Sequence, residues 1–303
     1  MAVSVPISFE FYPPKTDEQR TQLDRTAARL RSESPEYVSC TFGAGGSTLS
    51  YTPETVQRLR EMHALDAAPH LSCMGGSREE IRQLLKLYRA MGCRRLVALR
   101  GDLPSGMARM GDLRHATDLV AFIRAEHGDW FHVEVGCYPE CHPQADDALA
   151  DLRHFKAKVD AGADYICTQL FFDNRDFHDF RERCELAGIR VPIIAGIMPI
   201  TSLAGMKRMA QLAAGARFPA PLLRAVQRAS HDPAEVERTG IEWATEQCRE
   251  LLASHVRGIH FYTLNQSKAT LAVYDNLCQS LPEPFGPRDP RPASVARQEF
   301  HPR

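Results

Sequence analysis

The stretch "PHLSCMGGSREEIRQLLKLYRAMGCRRLVALRGD", residues 69–102, contains the patterns of a strand, a helix and a second strand in succession. Its two apolar runs are short and end at polar or glycine residues, which is typical of strands. Between them, Ser77 is a predicted N-cap and Gly92 a predicted stop for the helix. The stretch therefore predicts a strand–helix–strand unit.

The same alternation extends over most of the chain. Thr16 is the predicted N-cap of a first helix, which carries Leu23, Ala27 and Leu30 on one stripe. Further helices are predicted from about positions 52, 145, 175 and 268, and several more between 201 and 255. The strand patterns are "SVPISFEFY", "EYVSCTFG", "PHLSCM", "RRLVALRGD", "FHVEVGCYP", "ADYICTQLFF", "VPIIAGIMP" and "GIHFYTL".

Eight strand-then-helix units predict an α/β fold, a single (β/α)8 TIM barrel with extra helices before the last strand. A doubly wound open sheet is the alternative. That fold usually carries G-x-G-x-x-G in its first βα turn, whereas "GAGGS" here follows the second strand and Thr48 replaces the last glycine. We expect the barrel domain to span residues 1–282, and the proline-rich residues 283–303 to form an extended or disordered tail.

Composition limits the classes of ligand. The chain has 303 residues, of which 44% are hydrophobic, enough for a large core, and its formal net charge of -1 disfavours nucleic-acid binding. The sequence has neither a cationic leader nor an apolar run of about eighteen residues, so we expect neither export nor a membrane span. Nine single cysteines without C-x-x-C indicate neither a disulfide framework nor a zinc knuckle, so we expect a cytoplasmic protein that binds a small molecule.

Catalytic groups of a barrel lie at the C-terminal ends of its strands and in the loops that follow. The residues at those positions are mostly polar, which predicts a ligand site at that rim. They are Glu10, Thr41, His70, Arg100, Gly101, Asp102, Tyr138, His142, Gln169, Gly196 and Tyr262.

Glu10 lies between Phe9 and Phe11 in the first predicted strand. The alternation of a strand places the two rings on one face and the carboxyl on the other, toward the barrel mouth. Apolar surroundings raise a carboxyl pKa toward neutrality, and we expect the two rings to contribute to this, so that Glu10 can donate a proton at pH 7. The alternative is a rim carboxylate paired with Lys15.

The run Arg100-Gly101-Asp102 brings a cation, bare backbone and an anion to the end of the fourth strand. This set suits a ligand that carries both ring heteroatoms and phosphate, although a salt bridge between Arg100 and Asp102 is the alternative. Gln169 ends a buried-looking strand, where its amide can bind an amide-like heterocycle or a backbone group.

Two histidines of the rim have structural alternatives too. His70 and His142 can be hydrogen-bonded structural residues rather than ligands of a cofactor. A zinc site that combines them with Cys137 and Cys141 is conceivable, because barrel rims can hold zinc. Since the sequence has neither H-x-H nor H-E-x-x-H, we predict no metal.

The helix pattern "DLRHFKAKVD" carries a polar face. That face contains Asp151, His154 and Lys158, spaced three and then four residues apart. It is either a solvated surface or the wall of a groove for diphosphate or ribose. Composition and spacing therefore permit a phosphorylated heteroaromatic cofactor, but they do not choose a reaction.

The sequence resembles methylenetetrahydrofolate reductase of the bacterial type, a flavoprotein whose catalytic domain is an eight-stranded α/β barrel. The resemblance covers that catalytic barrel only. The matching blocks occur in order from Ser8 to Asn265, and they are "FEFYPPKT", "PEYVSCTFGAGG", "PHLSCMG", "LVALRGDLP", "YPECHPQA", "KVDAGADYICTQLFFDN", "IIAGIMPI" and "HFYTLN".

The resemblance implies roles for individual residues. Glu10 matches the general acid that opens the folate imidazolidine ring, and Asp102 matches a carboxylate near the flavin and the pterin. Gln169, Tyr262 and Gln266 are implied in substrate binding, together with Asp102. The FAD-binding positions implied are Thr41, Phe42, Ala44, His70, Arg100, Gly101, Asp102, His115, Ala116, Tyr138, His142, Asp151, His154 and Lys158.

The implied reaction is a ping-pong hydride transfer. NADH or NADPH reduces FAD, and the reduced FAD then converts 5,10-methylenetetrahydrofolate into 5-methyltetrahydrofolate, which supplies methyl groups for methionine synthesis. The family also implies a homo-oligomer, a dimer or tetramer. Two alternatives remain: another FAD-dependent barrel oxidoreductase, such as a proline dehydrogenase-like enzyme, or a non-catalytic folate-pathway binding subunit.

Overall fold

Eight parallel strands close into a barrel in the computed structural model, which describes residues 5–42, 51–73, 76–101, 111–213 and 215–280. Neighbours along the chain are neighbours in the sheet, and the last strand pairs with the first. This closure confirms the predicted barrel and excludes the open sheet. The strands are β1 Ile7–Phe11, β2 Tyr37–Cys40, β3 Ala67–Ser72, β4 Arg95–Leu99, β5 His132–Cys137, β6 Tyr165–Thr168, β7 Ile193–Ile197 and β8 Ile259–Tyr262.

Helices follow the strands around the outside of the barrel. They are α1 Asp17–Arg31, α2 Tyr51–His63, α3 Arg78–Ala90, α4 Ala116–His127, α5 Ala148–Asp160, α6 Asn174–Leu186, α7 Leu203–Leu212, α8 Ala220–Ala229, α9 Pro233–Ala253 and α10 Lys268–Ser280. Three helices, α7, α8 and α9, lie between β7 and β8 where a simple barrel has one, so the predicted extra helices before the last strand are present. Within the described ranges, no helix combines the length and apolarity needed to cross a membrane.

The predicted helix boundaries rest on capping contacts that the structure contains. The Thr16 hydroxyl accepts a hydrogen bond from the Gln19 backbone N–H at 3.3 Å. Ser77 and Glu80 form a reciprocal capping box at the start of α3. Gly92, just after that helix, has φ +74°, a left-handed conformation that glycine adopts without steric cost.

The outer face of the barrel wall packs against the helices and forms the main apolar core. Phe9, Phe11 and Phe261 all belong to this core, and each is at most 1% exposed. The rings of Phe9 and Phe261 stack with centroids 6.0 Å apart across the β1–β8 pair. The predicted packing of the two phenylalanines on one side of β1 is therefore confirmed.

The inner face of the same wall carries polar side chains on several strands. The Tyr37 hydroxyl on β2 donates a hydrogen bond to the Glu134 carboxylate on β5 at 2.5 Å. Since β2 and β5 are not neighbours in the sheet, this bond crosses the barrel interior. Ser8 Oγ and His260 Nδ1 lie 2.7 Å apart between β1 and β8. The interior therefore holds hydrogen-bonded polar side chains where the outer face holds apolar ones.

The extra helices have a smaller apolar core of their own, which includes Phe172, Ile200 and Leu222. Gly240 of α9 lies directly against the Ile200 carbonyl, and a Cβ atom at that position would be 1.8 Å from the oxygen. This close backbone approach requires glycine and brings α9 against the end of β7.

Candidate functional site

Glu10 lies at the mouth of the barrel, as the alternation of β1 predicts. Its strand neighbours are Ser39 on β2 and Tyr262 on β8, and its side chain is 21% exposed. The carboxyl Oε2 is 3.6 Å from Nε2 of His70 on β3. Among the described residues, His70 is therefore the basic side chain within 4.0 Å of Glu10. The alternative pairing of Glu10 with Lys15 does not occur.

The proton of this pair resides on the carboxyl. Burial raises the pKa of Glu10 to about 8, with a further contribution from the negative charge of Glu134. Burial also lowers the pKa of His70 to about 3. At pH 7 the pair is consequently a carboxylic acid beside a neutral imidazole rather than an ion pair. The expectation that Phe9 and Phe11 bury the carboxyl was wrong, because both rings belong to the outer core and the barrel interior surrounds Glu10 instead.

The end of β1 is held by the loop that follows β8. The Thr263 hydroxyl donates to the Glu10 carbonyl at 2.6 Å. The Asn265 side chain accepts from the Tyr12 backbone N–H at 3.0 Å and donates to the Tyr12 carbonyl at 2.9 Å. Asn265 has φ +55°, a left-handed conformation that asparagine tolerates better than most residues. These contacts position the backbone that carries the acid.

Tyr262 and Gly196 complete the β6–β7–β8 side of the mouth. The Tyr262 hydroxyl donates to the Thr168 carbonyl at 2.7 Å, and the Thr168 hydroxyl accepts from the Gly196 backbone N–H at 2.9 Å. A Cβ atom on Gly196 would lie 2.2 Å from the Thr168 carbonyl and 2.7 Å from the Tyr262 ring. Glycine is required here because the tyrosine ring passes over the strand.

Gln169 follows β6 and is half-buried. Its backbone N–H donates to the Cys137 carbonyl at 2.7 Å, and its side-chain oxygen accepts from the Leu170 N–H at 2.9 Å. The predicted backbone bond is thus formed through the oxygen. The amide NH2 group is the part of Gln169 that can serve as a donor for a heterocycle.

A chain of contacts connects the end of β4 with the loop after β5 and with α5. The Arg100 guanidinium donates to the Gln144 side-chain oxygen, and the Gln144 backbone N–H donates to Nδ1 of His142 at 3.1 Å. The His142 backbone N–H donates to the Asp151 carboxylate at 2.8 Å, and the His142 ring lies 4.8 Å from that of Tyr138. Four predicted residues from three separate stretches of the sequence therefore meet in one network.

The polar face predicted for α5 is divided. Lys158 Nζ donates to the Gly136 carbonyl on β5 at 2.6 Å, and burial lowers the pKa of its ammonium group. Asp151 is bound to the loop after β5, so both residues face the barrel. His154, by contrast, is exposed to solvent. The groove interpretation fits two of the three residues.

Predicted site residues near the second and fourth strands occupy loops at the same rim. Thr41 and Phe42 follow β2 and are half-buried. Gly101 follows β4 with φ +79°, a conformation that favours glycine. Ala44 and Asp102 lie outside the described residues.

Three further predicted residues flank helices or follow the last strand. Ala116 is the first residue of α4, and His115 precedes it with its backbone N–H bound to the Asp118 carboxylate at 2.9 Å. The His115 side chain is exposed, as is that of Gln266 in the loop after β8. These side chains are available to a ligand from the solvent side of the rim.

Glu134 was not predicted as a site residue, although its sequence pattern resembles that of Glu10. It is a single carboxylate in an apolar strand, between Val133 and Val135, and both valines are fully buried. The Glu134 side chain is 7% exposed, and burial raises its pKa to about 7, while the hydrogen bond from Tyr37 opposes that rise. An acidic residue at an inward-facing strand position was the signal that could have revealed it.

The conceivable zinc site is divided between the two faces of the wall. Cys137 belongs to the outer apolar core, whereas His70 faces Glu10 at the mouth. Over the part of the chain that the structure describes, no three His, Cys, Asp or Glu side chains are grouped so that they could hold a metal ion.

Together, the fold and the site define a (β/α)8-barrel protein with a protonated carboxyl at its mouth and, on one side, cations and rings suited to a phosphorylated aromatic ligand. The sequence profile of the methylenetetrahydrofolate reductase family matches residues 2–278, and the chain belongs to this family.

Relatives of two lengths match the chain. The 5,10-methylenetetrahydrofolate reductase of Salmonella typhimurium is 38% identical over 271 residues, which cover 89% of this chain and 90% of the relative. Methylenetetrahydrofolate reductase (NADH) 1 of Arabidopsis thaliana is 38% identical over 283 residues, or 89% of this chain and 48% of the relative. The chain therefore spans about half the length of the plant relative.

Known structures share the fold at low sequence identity. A protein from Clostridium thermocellum, described as binding two copies of 5-methyl-5,6,7,8-tetrahydrofolic acid, matches with a TM-score of 0.62 at 14% identity, over 92% of this chain and 95% of that one. Oxaloacetate acetylhydrolase matches with a TM-score of 0.51 at 11% identity, over 91% and 80%. At these identities the likeness concerns the fold alone.

Proposed function

We propose that this chain reduces 5,10-methylenetetrahydrofolate to 5-methyltetrahydrofolate, with FAD as cofactor and NADH or NADPH as electron donor, in a ping-pong sequence. Family membership supports the reaction. The structural observation that carries the proposal is the carboxyl of Glu10, which is held at the barrel mouth and is protonated at pH 7. Reduction of the folate requires a proton as well as a hydride, and in this proposal Glu10 supplies the proton.

The residues at the ends of β4 and β5 and on α5 fit a flavin nucleotide. Arg100 and Lys158 are cations for phosphate groups, Tyr138 and His142 provide rings and polar atoms, and Gly101 presents bare backbone. Bound FAD would supply the hydride carrier between the nicotinamide and the folate. We assign the residues of this network to its binding.

The chain's own part in the chemistry is proton donation. Glu10 would transfer its proton to a nitrogen of the folate imidazolidine ring as the bond from that nitrogen to the methylene carbon breaks. The remaining iminium carbon then accepts the hydride, and Glu10 is left as a carboxylate that water must reprotonate. Since His70 is neutral, it does not hold Glu10 in the ionised form.

Substrate orientation is assigned to polar groups around the same mouth. The NH2 group of Gln169 is a donor for the pterin ring, and Tyr262, bonded to the adjacent Thr168, bounds the same side of the mouth. Gln266 is exposed beyond β8, where the tail of the folate could lie. Asp102 is proposed as the second catalytic carboxylate on the resemblance alone.

The visible spectrum of the purified protein tests this proposal. We expect flavin absorbance that is bleached by anaerobic NADH or NADPH and then restored by methylenetetrahydrofolate. Protein without flavin that also fails to take up FAD would overturn the proposal. Bleaching by an amino acid but not by a nicotinamide would instead support a proline dehydrogenase-like enzyme.

The proposed setting follows from the family. The product would supply methyl groups for methionine synthesis in the cytoplasm, and we propose a homodimer or homotetramer as the working form. Light scattering of the holoenzyme would measure its mass, and a monomer at working concentration would contradict the oligomer.

A further inference from the structure

A second carboxyl is enclosed in the barrel with Glu10. Glu134 is 7% exposed and accepts a hydrogen bond at 2.5 Å from Tyr37 across the interior. Val133 and Val135, on either side of it in β5, are in the outer apolar core. The Glu134 side chain is therefore directed toward the barrel axis.

The strand register relates the two carboxyls. Ser39 is the β2 partner of Glu10, and Tyr37 lies two residues before Ser39 on the same face of that strand. Two residues correspond to about 7 Å along a strand. The Tyr37–Glu134 pair thus lies next to the layer of Glu10, toward the N-terminal ends of the strands. Ser39 Oγ is buried and has no hydrogen-bond partner among the described residues, so it donates a hydrogen bond to neither carboxyl.

The charges around the pair favour ionisation of Glu134 before Glu10. Arg95 lies over the Tyr37 ring at 4.8 Å, is paired with Glu36, and lowers the pKa of Glu134. Among the described residues, the other titratable groups near the two carboxyls are neutral at pH 7, because burial lowers the pKa of the imidazoles and raises those of the thiols and phenols. They are His70, His260, Cys40, Cys167, Tyr37 and Tyr262.

We propose that Glu134 is a positioning residue for the folate half-reaction, whose carboxylate keeps the proton on Glu10 by like-charge repulsion within the shared interior. This inference rests on the proposed function of Glu10 as the proton donor. Two carboxyls in one enclosure of low polarity do not both ionise readily, so the negative charge goes to the one with the better partners. Glu134 has those partners in Tyr37 and Arg95.

The Glu134→Gln variant tests the proposal because it removes the charge and keeps the shape. The titration of Glu10 can be followed by infrared difference spectroscopy, as the carboxyl band that Glu10→Gln abolishes. We expect Glu134→Gln to move this titration to lower pH by about one pH unit. The alkaline limb of folate reduction by prereduced enzyme should move equally, which is about a tenfold loss of rate above the limb. Reduction of the flavin by NADH should keep its pH profile.

Three variants serve as controls. Glu134→Asp retains the charge and should restore most of the Glu10 titration. Tyr37→Phe removes the bond that stabilises the Glu134 carboxylate, and it should move the Glu10 titration in the same direction as Glu134→Gln but less. Asp164→Asn removes a carboxylate that binds the Val133 N–H at 2.7 Å outside the barrel interior, and it should leave the titration unchanged.

An unchanged Glu10 titration in folded Glu134→Gln would overturn the proposal. If that variant does not fold, the titration in Tyr37→Phe decides, and an unchanged titration there overturns it as well. Wild-type protein that does not reduce the folate would refute the proposed function, whereas the infrared titration requires no turnover and still decides the role of Glu134.

Discussion

The outer and inner faces of the barrel wall are made by the same strands but have opposite chemistry. In β1, Phe9 and Phe11 face the helices and are at most 1% exposed, while Ser8 and Glu10 face the interior. The outer face is close-packed and apolar, and the inner face holds hydrogen bonds and carboxyls of raised pKa. Alternate positions of one strand can thus contribute stability and reactivity with little overlap, because successive side chains point to opposite faces.

Glu10→Gln is expected to have the largest effect, and it changes the inner face alone. Folate reduction should fall about 10²- to 10⁴-fold, because the amide cannot donate the proton in the same way. Flavin reduction by NADH should stay near the wild-type rate, since it does not require that proton. Stopped-flow measurement of the two half-reactions would show the difference.

A matched carboxyl on the outside controls for charge and size. Glu126 is bound to Arg82 at 2.7 Å and 3.0 Å on the helical surface, so Glu126→Gln should leave both half-reactions unchanged. Equal loss of both half-reactions in Glu10→Gln would contradict the role of Glu10 as the acid.

Phe261→Ala tests the outer face next. Its fully buried ring packs on Phe9, so the substitution should lower the free energy of unfolding by about 3–5 kcal/mol. The adjacent inward-facing substitution, Tyr262→Phe, loses one hydrogen bond to Thr168 and should cost only about 1 kcal/mol. Urea denaturation measures both, and equal costs would remove the energetic contrast between the faces.

The pH dependence of stability isolates the inner carboxyls. The folded-state pKa values of Glu10 and Glu134, about 8 and about 7, lie above the ordinary 4.5, so the folded state binds these protons more tightly than the unfolded chain. Their contribution to stability is complete below pH 4.5 and is lost as the pH rises through 7 and 8.

The wild type should therefore lose several kcal/mol of unfolding free energy between about pH 5 and pH 8.5, relative to a Glu10→Gln/Glu134→Gln variant. The loss is about 1.4 kcal/mol for each pH unit that separates the folded from the unfolded pKa. Urea midpoints measured at several pH values would detect this. If the unfolding free energies of the two proteins changed equally with pH, the prediction would be wrong, because the barrel interior would then not raise the pKa of the two carboxyls.

Lys158→Met should have the smallest effect. It tests whether α5 contributes to the ligand site at the barrel mouth. The ammonium group is bound to the Gly136 carbonyl, and its loss should weaken FAD binding about tenfold if it contacts a phosphate. Lys156, two residues earlier, forms an exposed pair with Asp160 at 2.7 Å and provides the matched control. Lys156→Met should not change FAD affinity, which fluorescence titration of the apoprotein would measure, and equal effects would contradict the assignment of Lys158.

Much of this arrangement could be predicted from local patterns. All eight strands, the caps at Thr16 and Ser77 and the inward direction of Glu10 follow from periodicities of the chain itself. The burial of Glu10 was predicted, but it was attributed to the wrong residues. Phe9 and Phe11 are adjacent to Glu10 in sequence but lie on the other face of the strand. Proximity along a strand does not indicate which groups surround a side chain.

The contacts that shape the site depend on closure of the barrel. Tyr37 and Glu134 are 97 residues apart and meet across the interior, and Arg100 and Gln144 are 44 residues apart and join two loops. Neither pairing has a local sequence signal, because each depends on how strands that are distant in the sequence are arranged in the barrel. The same is true of Asn265, which binds Tyr12 from 253 residues away.

The amino-acid sequence by itself determined the alternation of strands and helices, their ends, and the face on which each strand residue lies, because these follow from backbone geometry over a few residues. Only the tertiary structure decided which side chains share the barrel interior and which of them hold protons. A pKa depends on burial and on neighbouring charges, and both exist only after eight distant strands have closed around Glu10 and Glu134.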